Sequence, residues 1–208
     1  VNVVAGGIGD DRIALNAGGF TTDVVGGDNL DYRRGLDGSG NYQHRFADVL
    51  SPLLGGNDDV LVGGGDKMVF GGAGNDTLET RTGTGAGERA LIFGDAGTVT
   101  FDTTLSGELV RAFTTAEDAG GNDSLKVAGG SAYLFGGKGN DSFTSASYSL
   151  ERVAFGDNGQ IDWSTSGANS GMMTRLQTTG SDLLDPALTV DSFILPLGLP
   201  TNHLDYAA

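Results

Sequence analysis

No cysteine occurs among the 208 residues, which excludes a disulfide framework, thiolate metal sites and a cysteine nucleophile. Proline is nearly as scarce. Of four, three (Pro186, Pro196 and Pro200) fall in the last 23 residues. A glycine-rich chain so poor in proline is neither collagen nor a proline-rich linker. Basic residues are few, 12 against 27 acidic ones, and the net charge is −15. Phosphate binding needs a basic face, so nucleic acid is not an expected partner. No apolar run approaches the roughly 20 residues of a membrane span. The first ten residues lack the basic start and apolar stretch of a signal peptide, and a start at Val1 reads as a fragment or processed product.

What is abundant is glycine, 37 residues, or more than twice the average share of about 7%. Its distribution is periodic. GGIGDD begins at Gly6, GGAGND at Gly71 and GGKGND at Gly136, 65 residues apart each time, and GGND recurs at Gly55 and Gly120 with the same interval. Further matches follow each block: VVGGDNLDY from Val24, IFGDAGTVTF from Ile92 and AFGDNGQIDW from Ala154. About three copies of a 65-residue unit result. The expected divisions are 1–54, 55–119 and 120–185, with 186–208 as a proline-containing cap or tail. Within a unit, GGNDDVLV, GGGDKMVF and GGAGNDTLE run in tandem, each a glycine turn followed by a brief strand.

GGAGNDTLE, GGKGNDSFT and GGIGDDRIA match every fixed position of the nonapeptide GGxGxDxUx, with Leu78, Phe143 and Ile13 as the apolar residue. In this the chain resembles the RTX (repeats-in-toxin) calcium-binding family. The resemblance covers the glycine blocks, roughly half the chain, and leaves inserts at 30–51, 81–89, 103–119 and 164–187 uncovered. It implies an all-β fold, a parallel β-roll or β-solenoid of short strands with two turns per coil. Residues about 18 apart would then stack at the strand spacing of about 4.8 Å.

The spacings 58–76 and 123–141 are 18, 76–95 is 19, 11–28 is 17 and 141–157 is 16. Asp11, Asp28, Asp58, Asp76, Asp95, Asp123, Asp141 and Asp157 are therefore expected in one column. Stacked carboxylates repel unless a cation neutralises them. Calcium suits the task, because it takes six to eight hard oxygen ligands, backbone carbonyls included. Glycine supplies positive φ and bare carbonyls, so Gly6, Gly7, Gly9, Gly55, Gly71, Gly72, Gly74, Gly136, Gly137 and Gly139 join the candidate ligands. About five calcium ions are expected along this edge. The opposite edge offers only Asp66, since residues 129–132 hold no carboxylate. Two residues after the aspartates stand Ile13, Leu30, Val60, Leu78, Leu125 and Phe143, a thin core that makes folding depend on calcium. Val99, Phe101, Ile161 and Trp163 are expected to pack inward, with Tyr32 a further equivalent.

Catalytic signatures are missing. There is no GxSxG and no HExxH, and His44 and His203 are isolated and expected at the surface. The glycine-rich stretch 83–87 lacks the Lys-Ser/Thr ending of a phosphate loop. The expected function is a non-enzymatic calcium-binding module, secreted or at the cell surface, in an adhesin stalk, surface layer or self-assembling filament. The alternative is the accessory repeat of a secreted protease, lipase or lyase. Expected partners are calcium, copies of the chain end to end, or a cell-surface glycan or protein.

Overall fold

The structure, a computed structural model, describes residues 1–15, 22–81, 88–103, 107–116, 118–145, 151–167, 170–179 and 189–191. The stretch 83–87, His203 and most of the 186–208 tail lie outside the described residues. Strands dominate, and among the described residues there is no α-helix.

Among the described residues, eighteen strands form three six-stranded sheets. The central sheet runs β1 (Asn2–Ala5), β3 (Thr22–Gly26), β7 (Asp66–Phe70), β9 (Arg89–Phe93), β13 (Ser131–Phe135) and β15 (Arg152–Phe155), all parallel. A second parallel sheet runs β2 (Arg12–Leu15), β6 (Asp59–Val62), β8 (Thr77–Thr80), β12 (Ser124–Val127), β14 (Ser142–Ser145) and β18 (Thr189–Asp191). The third sheet is antiparallel: β4 (Leu30–Leu36), β5 (Tyr42–Val49), β10 (Gly97–Phe101), β11 (Leu109–Thr114), β16 (Gly159–Trp163) and β17 (Met173–Thr178). Along the chain the strands alternate between the two parallel sheets. After β3, β9 and β15 a hairpin departs to join the third.

Residue patterns explain the layering. The central strands read as near-continuous apolar runs, such as KMVF, ALIF and AYLF, because both their faces are covered. The second sheet alternates, as in DVLV and SLKV, with one face buried and the other wet. Between the parallel sheets, Val25, Val69, Ile92 and Leu134 meet Ile13, Val60, Leu78, Leu125 and Phe143. On the other face of the central sheet, Phe70, Phe93, Phe135 and Phe155 stack in file, with ring centroids 5.0, 4.4 and 5.0 Å apart. Val99, Ile161 and Trp163 of the antiparallel sheet close over this cluster, with Tyr32 and Phe101 packed at its margin.

Three expectations need correction. The thin core is only the layer between the parallel sheets, since strands from the inserts join β10 and β16 in a third sheet and bury a second, aromatic core. Leu30 belongs to that second core, because it opens a hairpin strand. His44 is half-buried, its Nδ1 2.7 Å from the Tyr32 hydroxyl and its ring 5.2 Å from that of Phe101.

Candidate metal centre

The chain passes from the central sheet to the second sheet along one edge, and the glycine-aspartate blocks make those turns. In the intact turn 71–76, Gly72 and Gly74 have φ of 113° and 125°, conformations that a residue with a Cβ rarely adopts. Gly71 serves differently. A Cβ there would strike both Asp76 Oδ2 and the carbonyl oxygen of Gly94.

Successive turns are tied by two ladders of opposite sense. The backbone N–H of Asp11 donates to Asp58 Oδ1 at 2.7 Å, that of Asp58 to Asp76 at 2.7 Å, that of Asp76 to Asp123 at 2.7 Å and that of Asp123 to Asp141 at 2.8 Å. One residue earlier the direction reverses. Asn57 N–H donates to Asp10 Oδ1, Asn75 to Asn57, Asn122 to Asn75 and Asn140 to Asn122. Five aspartates therefore stack, separated in sequence by 47, 18, 47 and 18 residues.

This corrects the expected column. Asp28, Asp95 and Asp157 are not rungs between the others, because a hairpin is inserted inside the turn rather than between turns. Gly27-Asp28 is the first half of a turn whose second half, Gly56-Asn57-Asp58, returns after β4 and β5. Gly94-Asp95 and Gly121-Asn122-Asp123 are split in the same way by β10 and β11. The stacking shows the equivalence: a Cβ on Gly74 would meet Gly56, and one on Gly121 would meet Gly74. Asp28 and Asp95 act as clamps. Asp28 Oδ2 accepts the N–H of Ala73 at 2.7 Å, and Asp95 accepts those of Gly121 at 2.9 Å and Lys138 at 2.5 Å. Asp157 follows β15 as Asp28 follows β3 and Asp95 follows β9, and its carbonyl accepts the N–H of Gly137.

The remaining candidates divide by place. Gly6 and Gly136 are crowded as Gly71 is, by Asp11 and Asp141, and Gly55 by the Asp28 carboxylate. Gly7, Gly9, Gly137 and Gly139 repeat the positive φ of Gly72 and Gly74. Asp66 stands apart on the opposite edge, where its Oδ1 accepts the Arg89 N–H at 2.8 Å.

The second carboxylate oxygens carry the chemistry. Oδ2 of Asp58, Asp76 and Asp123 is buried and has no hydrogen-bond partner. Each lies against a glycine carbonyl: the oxygens of Asp58 and Gly71 crowd the bare face of Gly27, and those of Asp123 and Gly136 crowd that of Gly94. A carboxylate and a carbonyl are both acceptors, so neither satisfies the other. A cation between them, a water donating to both, or a proton on the carboxylate would resolve the contact. Burial pushes Asp58 up to about 6 and Asp76 up to about 8. Asp95 and Asp123 are driven further upward by burial, helped by the charge of neighbouring aspartates.

Among the described residues, no group of three or more His, Asp or Glu side chains forms a cage of the kind that holds a metal alone. The oxygens here are mixed, carboxylate with main-chain carbonyl, as a hard and geometrically tolerant cation accepts. Compared with protein-family models, curated proteins and solved structures, the chain matches nothing. Among the described residues no helix is long and apolar enough to cross a membrane.

Sequence reasoning missed the asparagine ladder, although an Asn precedes the Asp in GGAGND, GGKGND and both GGND blocks. It also missed the carbonyls of Gly27, Gly94 and Gly156, which only the split turns bring to the edge.

Proposed function

We propose that this chain is a calcium-binding structural module of the RTX type, a parallel β-roll whose glycine-aspartate edge is completed by metal ions. The observation carrying the reading is the set of buried Oδ2 atoms of Asp58, Asp76 and Asp123, each without a partner and each beside a glycine carbonyl. Asp11, Asp58, Asp76, Asp123 and Asp141 would hold the ions together with the neighbouring carbonyls of Gly27, Gly71, Gly94, Gly136 and Gly156 respectively. Calcium would supply the positive charge that lets these carboxylates stay ionised in a buried edge. Millimolar extracellular calcium fills even weak sites, so a secreted or surface location follows from the reading. A stalk, surface layer or filament is the role that such a stiffened repeat suits. Its partners would be calcium, further copies end to end, or a cell-surface glycan or protein.

The competing resolution is a proton on each carboxylate, favoured by the raised pKa of Asp76. Calorimetric titration with calcium, followed in parallel by circular dichroism, separates the two. Calcium-free protein should take up about one ion per gap between successive aspartates, which makes four gaps among the described rungs. Asp76→Asn should lower that number, whereas Asp59→Asn, on the exposed face of β6, should not. No heat of binding and no spectral change would overturn the metal reading.

A further inference from the structure

The opposite edge, where the chain returns from the second sheet to the central one, meets the same electrostatic problem with different atoms. One row of side chains crosses the central sheet there in register: Asn2, Asp23, Lys67, Ala90, Ala132 and Arg152. Its members share a face with Val25, Val69, Ile92 and Leu134, so the row points into the layer between the parallel sheets.

Lys67 is only 2% exposed. Its ammonium donates to the carbonyl of Gly65 at 2.5 Å and stands 3.5 Å from a Glu88 carboxylate oxygen. On the neighbouring strand its register partner is Asp23, which is fully buried. Asp23 Oδ1 accepts the side-chain amide of Asn2 at 2.7 Å, and its Oδ2 has no hydrogen-bond partner. Three strands further along, Arg152 repeats the device, its guanidinium donating to the carbonyl of Gly130 at 3.3 Å and to the Ser145 hydroxyl. Gly65 and Gly130 both have positive φ, 99° and 83°, and are 65 residues apart. Each of these turn glycines thus presents its carbonyl to a cation on the chain itself.

We infer that Lys67 is a tethered cation occupying what would otherwise be a divalent-metal site, formed by Glu88 and the Gly65 carbonyl, with the Asp23 carboxylate on the adjacent strand adding negative charge. An ammonium brings one positive charge and hydrogen-bond donors to the place where a free ion brings two charges. It cannot dissociate, so this edge is closed at any calcium concentration. Metal dependence is thereby confined to the glycine-aspartate edge. Asp66 binds no metal in the native chain for the same reason, because its turn already contains a cation.

The test compares Lys67→Ser, Lys67→Arg and the native chain, each titrated with calcium alone by calorimetry and melted with and without chelator. Lys67→Ser should bind one more calcium than the native chain. Its melting temperature should fall below native in chelator and recover by a larger increment when calcium is added. Lys67→Arg, which keeps the charge, should match the native stoichiometry. Equal stoichiometry for Lys67→Ser and native protein would overturn the inference. So would a Lys67→Ser chain that stays unfolded in excess calcium, or one that melts in chelator at the native temperature. The readout is a difference from the native chain, so it stands even if the native chain binds no calcium: the expected change is then from none to one.

Discussion

The central sheet has two faces, and they are held by different physics. Toward the antiparallel sheet it presents four stacked phenylalanines, with Tyr133 meeting Trp163 edge-on at a centroid separation of 5.3 Å. Toward the second parallel sheet it presents Val, Ile, Leu and Ala, bounded at one edge by buried carboxylates and at the other by Lys67 and Arg152. The aromatic face needs nothing but exclusion of water, whereas the aliphatic face needs charges neutralised before its rims can close. One sheet can therefore belong to a permanently packed layer and to a conditional one at the same time. Metal dependence read from glycine blocks alone would be assigned to the whole chain. On the proposed reading its cause lies at one edge of one layer.

Phe93→Ala tests that division most severely. Its ring lies in the middle of the file, 5.0 Å from Phe70 and 4.4 Å from Phe135. Removing a buried phenylalanine leaves a cavity and costs about 3–5 kcal/mol. Gly97, whose Cβ would collide with this ring, shows how little the surroundings can close in. The loss, measured by denaturant unfolding, should be equal with saturating calcium and with chelator. A loss that appears only in chelator would mean that the two layers are not separable in this way.

How far the sequence discloses this division depends on the period of each pattern. The 65-residue repeat, the short strands and the inward Ile13, Val60, Leu78, Leu125 and Phe143 were legible, because glycine turns and alternating residues encode local geometry. The inward positions of Val99, Ile161 and Trp163 were legible too. The placement of Asp28 and Asp95 was not. Spacings of 17 and 19 differ by a single residue from the 18 that separates the true neighbours Asp58 and Asp76 or Asp123 and Asp141, and nothing local says that a hairpin interrupts a turn. The real partners, Asp58 beside Asp11 and Asp123 beside Asp76, are 47 residues away in sequence. Lys67 was equally hidden: a lysine after GGGD reads as a solvated charge until its strand is known to be buried on both faces.

Titration with pH distinguishes calcium-bound from calcium-free protein by sign. In calcium-free protein Asp58 and Asp76 have folded values of about 6 and about 8, above the ordinary carboxylate value near 4. A raised folded value means that the native state binds more protons than the unfolded chain. The associated stability is complete below about pH 4 and is lost as pH rises through 6 and then 8. Each group contributes a slope of up to about 1.4 kcal/mol per pH unit in its window. With calcium the ion takes the place of the proton, so stability should instead increase as the carboxylates ionise. Melting temperatures between pH 4 and 9 should therefore trend in opposite directions with and without calcium. Parallel curves would show that these carboxylates do not face an ion.

The smallest effect separates the two ladders on the same edge. Asn75 Oδ1 accepts the N–H of Asn122 at 2.8 Å, while its own N–H and side-chain amide donate to Asn57 at 2.8 and 3.1 Å. These groups are exposed, so water can replace whatever is lost. Asn75→Ala should then cost about 1 kcal/mol, or roughly 2–4 °C in melting temperature for a chain of this size. An amide carries no charge, and its ladder runs opposite to that of the aspartates one residue later. The cost should accordingly be the same in calcium and in chelator, with ion stoichiometry unchanged. Should Asn75→Ala lower the stoichiometry, the asparagines would have to be counted among the calcium ligands, and the division between a structural ladder and a metal-binding one would fail at this position.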